Sequence, residues 1–195
     1  MSLVGPEDDL VHQRVMQMSR KGVVFVAAAG NGGPGAPPAY PAAYSEVIAV
    51  TAVDARRRNY PHANRGGYID VAAPGVGIWT ALPENKEGKL SGTSFATPFV
   101  TAIGAAIYGS SQLNAASREK RSPLDPKTVM LARFTIDKIG DGIPGERDPT
   151  YGLGLVQAPT SCSPGDQRWV PTVQRAPSRQ EPWQATIQRA SLSAQ

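Results

Sequence analysis

A single serine in the sequence has neighbours that suit a nucleophile. Ser94 lies in Gly92-Thr93-Ser94-Phe95-Ala96-Thr97-Pro98, and the small apolar residues that follow predict a closely buried helix from Ser94 to about Tyr108. A serine at the N-terminus of a helix lies in a positive field and has free backbone N–H groups nearby. These features stabilise the oxyanion that forms when a serine attacks a carbonyl group. Taken alone, however, Ser94 is better explained as an ordinary helix cap.

Asn31 is the second polar residue that could take part in such chemistry. It follows Val23–Ala29, a continuous apolar run that predicts a parallel strand buried on both faces. Ligand sites in open α/β sheets gather at the carboxyl ends of such strands. A side-chain amide at this position can donate a hydrogen bond to a developing oxyanion. The alternative is that Asn31, which stands among glycines, only forms a turn.

The elements that must position these two residues alternate between helices and strands. Three acids after Pro6 predict the start of a first helix, whose apolar residues recur at helical spacing. Asp125-Pro126 predicts the cap and first position of another helix. Besides Val23–Ala29, strands are predicted at Val47–Val53, Ile69–Ala73 and Ile78–Leu82, and a turn is predicted at Glu84–Gly88. This alternation predicts an α/β fold with a parallel sheet.

Composition narrows the class of protein further. The chain has 195 residues, of which 41% are hydrophobic and 18% charged, as in a globular domain with a sizeable core. Cys162 is the only cysteine, which excludes intrachain disulfides and a cysteine metal cluster. The net charge of +4 is dispersed except at Arg56–Arg58, so we expect no nucleic-acid partner. No apolar run approaches the roughly 20 residues of a membrane span.

The chain divides into two regions of different character. Residues 1–157 carry the alternating strand and helix pattern. Residues 158–195 are rich in proline and glutamine and contain few aliphatic side chains. Such a composition buries little apolar surface. We therefore expect a flexible tail from residue 158 onwards.

Taken together, the motifs resemble the C-terminal part of the catalytic domain of a subtilisin-like serine protease (subtilase, peptidase family S8). VVFVAAAGN, APG, GTSFATP and YGLGLVQA occur in the order in which that family carries them. The resemblance implies the family's three-layer α/β fold with a parallel sheet, here incomplete because the family's N-terminal strands are absent. It also implies a serine-type endopeptidase that acts on polypeptides.

The resemblance assigns roles to individual residues. Ser94 corresponds to the nucleophile and Asn31 to the oxyanion donor, with the Ser94 backbone N–H as a second donor. Thr93 corresponds to a residue that supports the oxyanion hole from behind. The other residues implied are substrate-binding ones: a backbone edge at Ser2, Leu3, Val4 and Gly5, and a pocket wall at Ala28, Ala29 and Gly30 with Ala39 near its base.

Two consequences follow for substrate binding. Val4 occupies a position where the family usually has glycine, so we expect a narrower groove. The pocket residues Ala28–Gly30 and Ala39 carry no charge, so we expect apolar or unselective side chains in the main pocket. No cofactor is expected. Family members often bind Ca²⁺, but no such site can be placed in this sequence.

The acid and the base of the family's catalytic triad are absent from the sequence. The family carries them in Asp-Thr/Ser-Gly and His-Gly-Thr segments that precede the serine, and neither segment occurs here. Asp54, His62 and Ser94 stand in the right order, but their neighbours differ and the resemblance places the first two in a connection remote from the serine. We expect His62 to lie in a solvated loop. Without a base Ser94 is a weak nucleophile, so we expect the isolated chain to be inactive.

Three interpretations of the chain remain open at this point. It is the serine-bearing portion of an endopeptidase whose partner is the N-terminal half of the catalytic domain; or it is a non-catalytic peptide-binding protein derived from a subtilase; or a separate chain supplies the acid and the base. An exposed sheet edge predicts poor solubility or self-association. The resemblance implies secretion or, in a Gram-negative source, the periplasm or cell envelope.

Overall fold

A five-stranded sheet forms the centre of the fold, as seen in a computed structural model that describes residues 1–109, 125–140 and 146–158. These residues belong to one compact unit, Met1–Pro159. The expected tail lies, from residue 159 onwards, outside the described residues, so its flexibility stays a prediction. In chain order the elements are α1 (Asp9–Ser19), β1 (Phe25–Ala28), β2 (Val47–Val53), β3 (Val71–Pro74), β4 (Ile78–Leu82), β5 (Lys86–Leu90), α2 (Thr93–Gly109), α3 (Pro126–Leu131), β6 (Thr135–Asp137) and β7 (Leu155–Gln157).

The strands of the central sheet are arranged in the order β1-β2-β3-β7-β6. The first four are parallel, and the register aligns Val50 of β2 with Ala28 of β1 and Val71 of β3. Strand β6, which the sequence did not predict, pairs with β7 in the antiparallel direction. The predicted α/β fold with a mainly parallel sheet is therefore confirmed.

Strand β2 is the best-buried element of the sheet, because all seven of its residues are buried. Its side chains alternate between the two faces. Ile48 and Val50 pack in one hydrophobic cluster with Val100 of α2. Val47, on the other face, packs in a second cluster with Val15 of α1. Helices thus cover both faces of the sheet, which gives the three layers that the sequence predicted.

Helix α1 follows the predicted start but buries little of its apolar surface. Its cap is Asp8, whose Oδ1 accepts the Val11 N–H at 2.9 Å. Of the apolar residues at helical spacing, only Val15 is buried, whereas Leu10 is 74% exposed and Met18 is also exposed. In the described part of the chain, nothing covers this side of the helix.

Strand β1 is shorter and less buried than predicted. It spans Phe25–Ala28 instead of the whole apolar run, and Phe25 and Val26 are only half-buried. The reason is its place at the edge of the described sheet. On the outer side of β1, the Met1 carbonyl accepts the Ala28 N–H at 3.0 Å and the Met1 ammonium donates to the Val26 carbonyl. The expectation of a strand buried on both faces was wrong for its first half.

The β4–β5 hairpin leads into the serine loop. Strand β4 matches the prediction, but β5 already begins at Lys86, where a turn was expected. The turn is shorter than the predicted Glu84–Gly88 turn because Glu84 and Asn85 both adopt the left-handed conformation. The hairpin forms a separate antiparallel sheet.

A buried ion cluster connects the sheet to the C-terminal elements. Asp70 is fully buried just before β3, and its Oδ2 accepts the Ala49 N–H and the Lys127 Nζ, each at 2.8 Å. Arg147 Nη1 lies 2.7 Å from Asp70 Oδ1. Lys127 belongs to α3, so a single carboxylate holds both α3 and the loop before β7 against the sheet.

Candidate active site

Ser94 is the second residue of α2 and is half-buried. A tight turn begins the helix: the Gly92 N–H donates to the Gly75 carbonyl at 2.8 Å, and the Phe95 N–H donates to the Gly92 carbonyl at 3.0 Å. Gly75 must be a glycine because a Cβ there would come within 2.8 Å of the Gly92 carbonyl oxygen. Among the described residues, none accepts the Ser94 N–H or hydrogen-bonds to its hydroxyl. Both groups are therefore available for a ligand.

Asn31 is held by Thr93, its neighbour across the site. Asn31 Oδ1 accepts two hydrogen bonds, from the Thr93 N–H at 2.9 Å and from Thr93 Oγ1 at 3.0 Å. Thr93 is fully buried, and its Oγ1 also accepts the Gly30 N–H at 3.2 Å. Since Oδ1 is occupied, the side chain of Asn31 presents its Nδ2 amide as the free donor.

Two N–H donors that have no partner among the described residues therefore lie near the start of α2. They are the backbone N–H of Ser94 and the side-chain amide of Asn31. Gly92 lies beside the second donor, because a Cβ at Gly92 would stand 3.3 Å from Asn31 Nδ2. Paired donors fixed in advance at a helix N-terminus are suited to binding an oxyanion. The geometry fits the roles that the resemblance implied for these residues, and the roles themselves stay predictions.

The N-terminal segment lies against the serine turn. Ser2 Oγ donates to the Ser94 carbonyl at 3.0 Å. Leu3 and Val4 are exposed, and none of the described residues pairs with their backbone groups. Gly5 differs, because its N–H and carbonyl both pair with Tyr40, at 2.8 and 3.1 Å.

The predicted substrate edge is therefore corrected at Gly5. Successive residues of an extended segment direct their backbone groups to opposite sides. The groups of Gly5 are directed toward Tyr40 and are already paired. This leaves Val4 as the residue whose backbone groups are directed outward.

The residues of the expected pocket wall lie together. Ala28, Ala29 and Gly30 are buried, and a Cβ on Gly30 would lie 3.1 Å from the Cβ of Ala39. Ala39 is also buried. The Tyr68 hydroxyl donates a hydrogen bond to the Ala29 carbonyl at 2.8 Å. Burial raises the pKa of Tyr68 above its ordinary value.

Asn64 and Tyr68 contact the site but were not predicted from the sequence. Asn64 is buried and hydrogen-bonds to residues on both sides of Asn31. No pattern around either residue points to these contacts, because their partners stand more than thirty positions away. The only local signal is a polar loop with Gly66-Gly67 directly before a buried strand.

The apparent triad of Asp54, His62 and Ser94 does not form. Asp54 binds Arg58, whose Nη2 lies 2.7 Å away, and the Arg58 N–H is the main cause that lowers the pKa of Asp54. The ring of His62 contacts Tyr60, with ring centroids 5.4 Å apart, and the residue is exposed. The backbone of the His62 loop nevertheless contacts the Asn31 loop, because the His62 carbonyl accepts the Gly33 N–H at 2.9 Å.

The second histidine lies in another part of the fold. His12 in α1 stacks on Tyr44 at 4.2 Å and lies 3.2 Å from a carboxylate oxygen of Glu46. Within residues 1–109, 125–140 and 146–158, no group of three or more His, Cys, Asp or Glu side chains could hold a metal ion. In the same ranges, no helix is long and apolar enough to cross a bilayer.

Ser94 and the Asn31 amide lie together where a helix N-terminus meets the carboxyl end of a parallel strand, the position at which ligand sites of α/β sheets gather. Comparison with known proteins gives the family. The model of the subtilase family, Peptidase_S8, matches residues 4–144. The chain belongs to the subtilase family.

Individual relatives agree with this assignment. The major intracellular serine protease of Bacillus subtilis (strain 168) is 44% identical over 112 residues, which are 55% of this chain and 35% of that protein. The minor extracellular protease Epr of the same organism is 32% identical over 158 residues, covering 80% and 23%. Thermitase of Thermoactinomyces vulgaris is 42% identical over 97 residues, covering 50% and 34%.

A solved structure shows a similar fold. The structure of the prenylagaramide maturation protease PagA matches with a TM-score of 0.59 at 28% identity, covering 80% of this chain and 57% of that one. The chain thus spans well under half the length of the three curated relatives and somewhat over half of this structure. One of these relatives is named as intracellular and another as extracellular, so sequence similarity to them does not assign this chain to a compartment.

Proposed function

We propose that this chain provides the nucleophile and the oxyanion hole of a serine endopeptidase that cleaves peptide bonds in polypeptides. The observation that carries the proposal is the pair of free donors beside Ser94. Thr93 occupies Oδ1 of Asn31 with two hydrogen bonds, which directs the Nδ2 amide to the site. The Ser94 N–H is free among the described residues and lies at the positive end of α2.

In the proposed reaction, Ser94 Oγ attacks the carbonyl carbon of the scissile peptide bond. The C–O bond forms while the carbonyl electron pair moves onto oxygen, and the resulting oxyanion accepts hydrogen bonds from the Ser94 N–H and from Asn31 Nδ2. Collapse of this intermediate breaks the C–N bond, and the leaving amine takes up a proton. Water then releases the acyl group by the reverse sequence of steps.

The proton of Ser94 Oγ needs an acceptor. Within the described ranges, neither histidine hydrogen-bonds to Ser94, and Asp54 is held by Arg58. We therefore propose that the acid and the base come from polypeptide other than these residues, either in a longer chain or in a separate one. The isolated chain is then inactive, since an unassisted serine hydroxyl is a weak nucleophile at neutral pH.

Two surface features support a need for additional polypeptide. The outer edge of β1 is paired only by Met1 in the described structure, which leaves an unprotected strand. Leu3, Val4 and Phe99, all close in sequence to the proposed site, are exposed. We expect the isolated chain to be poorly soluble or self-associated. A monomer with a sharp cooperative melting transition contradicts this expectation.

Substrate binding is proposed to occur along the N-terminal segment. A polypeptide adds as a strand beside Ser2–Val4, using the unpaired backbone groups there. The side chain before the scissile bond enters the pocket walled by Ala28–Gly30 and Ala39, which favours uncharged residues. We propose an extracytoplasmic site of action, secreted or in the periplasm or cell envelope, in keeping with the relative whose name describes it as extracellular.

A fluorophosphonate probe tests the proposal because it modifies activated serines. The purified chain is expected to react far more slowly than a working serine protease. Co-expression with a subtilase segment that carries Asp-Thr-Gly and His-Gly-Thr should produce labelling at Ser94. The control variants are Ser94→Ala, which should abolish labelling, and Ser91→Ala, which should not. Rapid labelling of the chain alone refutes the claim of inactivity, and absence of labelling in both arms refutes the endopeptidase proposal.

A non-catalytic peptide-binding protein is the alternative function. It is favoured by the combination of an intact donor pair with a sequence that lacks the family's acid and base segments. The DNA upstream of the Met1 codon separates the two. Segments encoding Asp-Thr-Gly and His-Gly-Thr in or near frame support the peptidase, whereas an unrelated promoter region supports the binding protein.

A further inference from the structure

We propose that Asn64 is a positioning residue that holds the loop carrying Asn31 in the orientation its amide requires. The inference rests on the proposed function of Asn31 as an oxyanion donor. The backbone N–H of Asn64 donates to the Gly30 carbonyl at 3.0 Å. The side-chain Oδ1 of the same residue accepts the Gly32 N–H at 2.7 Å. Asn64 therefore binds the residue before Asn31 and the residue after it.

A third contact fixes the orientation of the Asn64 side chain. Its Nδ2 donates to the Pro37 carbonyl at 3.2 Å, so each end of the amide has a defined partner. An aspartate could accept from Gly32, but it has no proton with which to bind Pro37 when ionised. Asn64 is only 3% exposed, which makes loss of either partner costly.

The packing around Gly30 shows how closely Asn64 lies beneath the loop. A Cβ on Gly30 would stand 2.6 Å from Asn64 Nδ2, which is shorter than any tolerable contact. Gly30 also has a φ of 106°, a conformation that glycine adopts without strain. Both features make glycine the residue required above Asn64.

A loop of this composition needs external support. Gly30, Gly32 and Gly33 surround Asn31, and glycines have the largest conformational freedom to lose on folding. Asn31 itself is exposed. Thr93 holds the end of its side chain, while Asn64 holds the backbone on both sides. The direction of the Asn31 amide depends on both restraints, because the side chain rotates on the backbone that carries it.

Asn59 offers a matched control in the same loop. Its side-chain Nδ2 also makes two hydrogen bonds, to Thr51 Oγ1 and to the Thr150 carbonyl, each at 3.2 Å. None of these partners belongs to the Asn31 loop. Substitution of Asn59 should therefore lower stability without changing the environment of Asn31.

Nuclear magnetic resonance of the full, ¹⁵N-labelled chain, at a dilution that limits self-association, tests the inference without requiring activity. The side-chain NH₂ signals of Asn31, assigned by their loss in Asn31→Asp, report on the amide. We expect Asn64→Ala to shift or broaden these signals and to speed exchange of the Gly32 amide by about fivefold to tenfold, the factor of one lost hydrogen bond. Asn59→Ala should lower Tm but change neither readout.

The outcomes that overturn the inference are specific. Unmoved Asn31 signals in Asn64→Ala contradict it, as do equal shifts in Asn59→Ala. If Asn64→Ala does not fold, amide exchange in the unmodified chain tests the inference instead. Gly35 is the reference, because its N–H has no partner in the described structure. Gly32 and Gly35 are both exposed, so a Gly32 amide that exchanges as fast as that of Gly35 overturns the inference. Because no readout involves Ser94 labelling, the inference and the proposed function can fail separately.

Discussion

The hydroxyl of Ser2 donates a hydrogen bond to the backbone carbonyl of Ser94, 3.0 Å away. In a regular helix that carbonyl would accept the N–H of residue 98. Residue 98 is a proline, which has no N–H. Ser2 thus replaces the missing donor and ties the proposed substrate edge to the turn that carries the proposed nucleophile.

Substitution of Ser2 should show whether its hydroxyl replaces the N–H that Pro98 lacks. Ser2→Ala is expected to lower the free energy of unfolding by about 0.5–1.5 kcal/mol, because the Ser94 carbonyl loses its partner. In a Pro98→Ala background the restored N–H supplies that partner, so the cost of Ser2→Ala should fall toward zero. Urea unfolding of the unmodified chain, the two single variants and the double variant measures the coupling in a double-mutant cycle.

Ser45→Ala is the control for that cycle, since Ser45 is exposed and its hydroxyl has no partner in the described structure. It should change stability by less than about 0.5 kcal/mol. Equal costs of Ser2→Ala in both backgrounds would mean that Pro98 does not explain the contact.

The elements that the sequence predicted best are those whose signal is local. The apolar run Val47–Val53 matches β2 because burial on both faces requires apolar side chains at every position. The Asp125 cap is confirmed, because its carboxylate accepts the Thr128 N–H three residues on. Ser94 and Asn31 were predicted as site residues because the surrounding family motifs are specific, and the structure connects them through Thr93.

The features that the sequence did not reveal depend on distant partners. Lys127 and Arg147, which pair with Asp70, lie more than fifty residues further along the chain. The position of Asp70 in a predicted strand therefore did not indicate a buried ion cluster. Asn64 was missed for the same reason. Strand β1 was predicted too long because an apolar run does not indicate whether both sides of the strand will be paired.

Removal of the buried carboxylate should destabilise the fold strongly. Asp70→Asn leaves Lys127, whose side chain is only 10% exposed, without its counter-ion. Breaking a buried ion pair in this way costs about 3–5 kcal/mol. The control is Glu84→Gln, which breaks an exposed pair with Lys86 and should cost less than about 1 kcal/mol. Urea unfolding compares the two, and a similar small loss in both would show that the cluster does not hold α3 to the sheet.

The hydrogen bond from Tyr68 predicts a loss of stability at high pH. Burial raises the pKa of Tyr68 above the ordinary value of 10.0. A raised pKa means that the stabilisation is fully present below about pH 10 and is lost as the pH rises through the folded value. Tyr68→Phe should therefore be less stable than the unmodified chain by about 0.5–1.5 kcal/mol at pH 8, when the hydroxyl donates to Ala29.

That difference should shrink as the pH rises above 10. Denaturant unfolding of both proteins at several pH values measures the difference in unfolding free energy. Groups other than Tyr68 titrate in both proteins, so their contributions cancel in this difference. A gap between the two proteins that stays constant over this range contradicts the assignment.

Thr93 should show whether its hydroxyl, rather than its volume, supports Asn31. Thr93→Val keeps the shape but removes the donor to Asn31 Oδ1 and the acceptor for the Gly30 N–H. It leaves buried polar groups without partners and should cost about 1–3 kcal/mol of unfolding free energy. Thr93→Ser keeps the hydroxyl and loses one methyl group, worth about 0.8 kcal/mol. Urea unfolding with amide exchange at Gly30 distinguishes the variants: only Thr93→Val should expose the Gly30 amide, and equal exchange in both would show that the methyl group, not the hydroxyl, holds the loop.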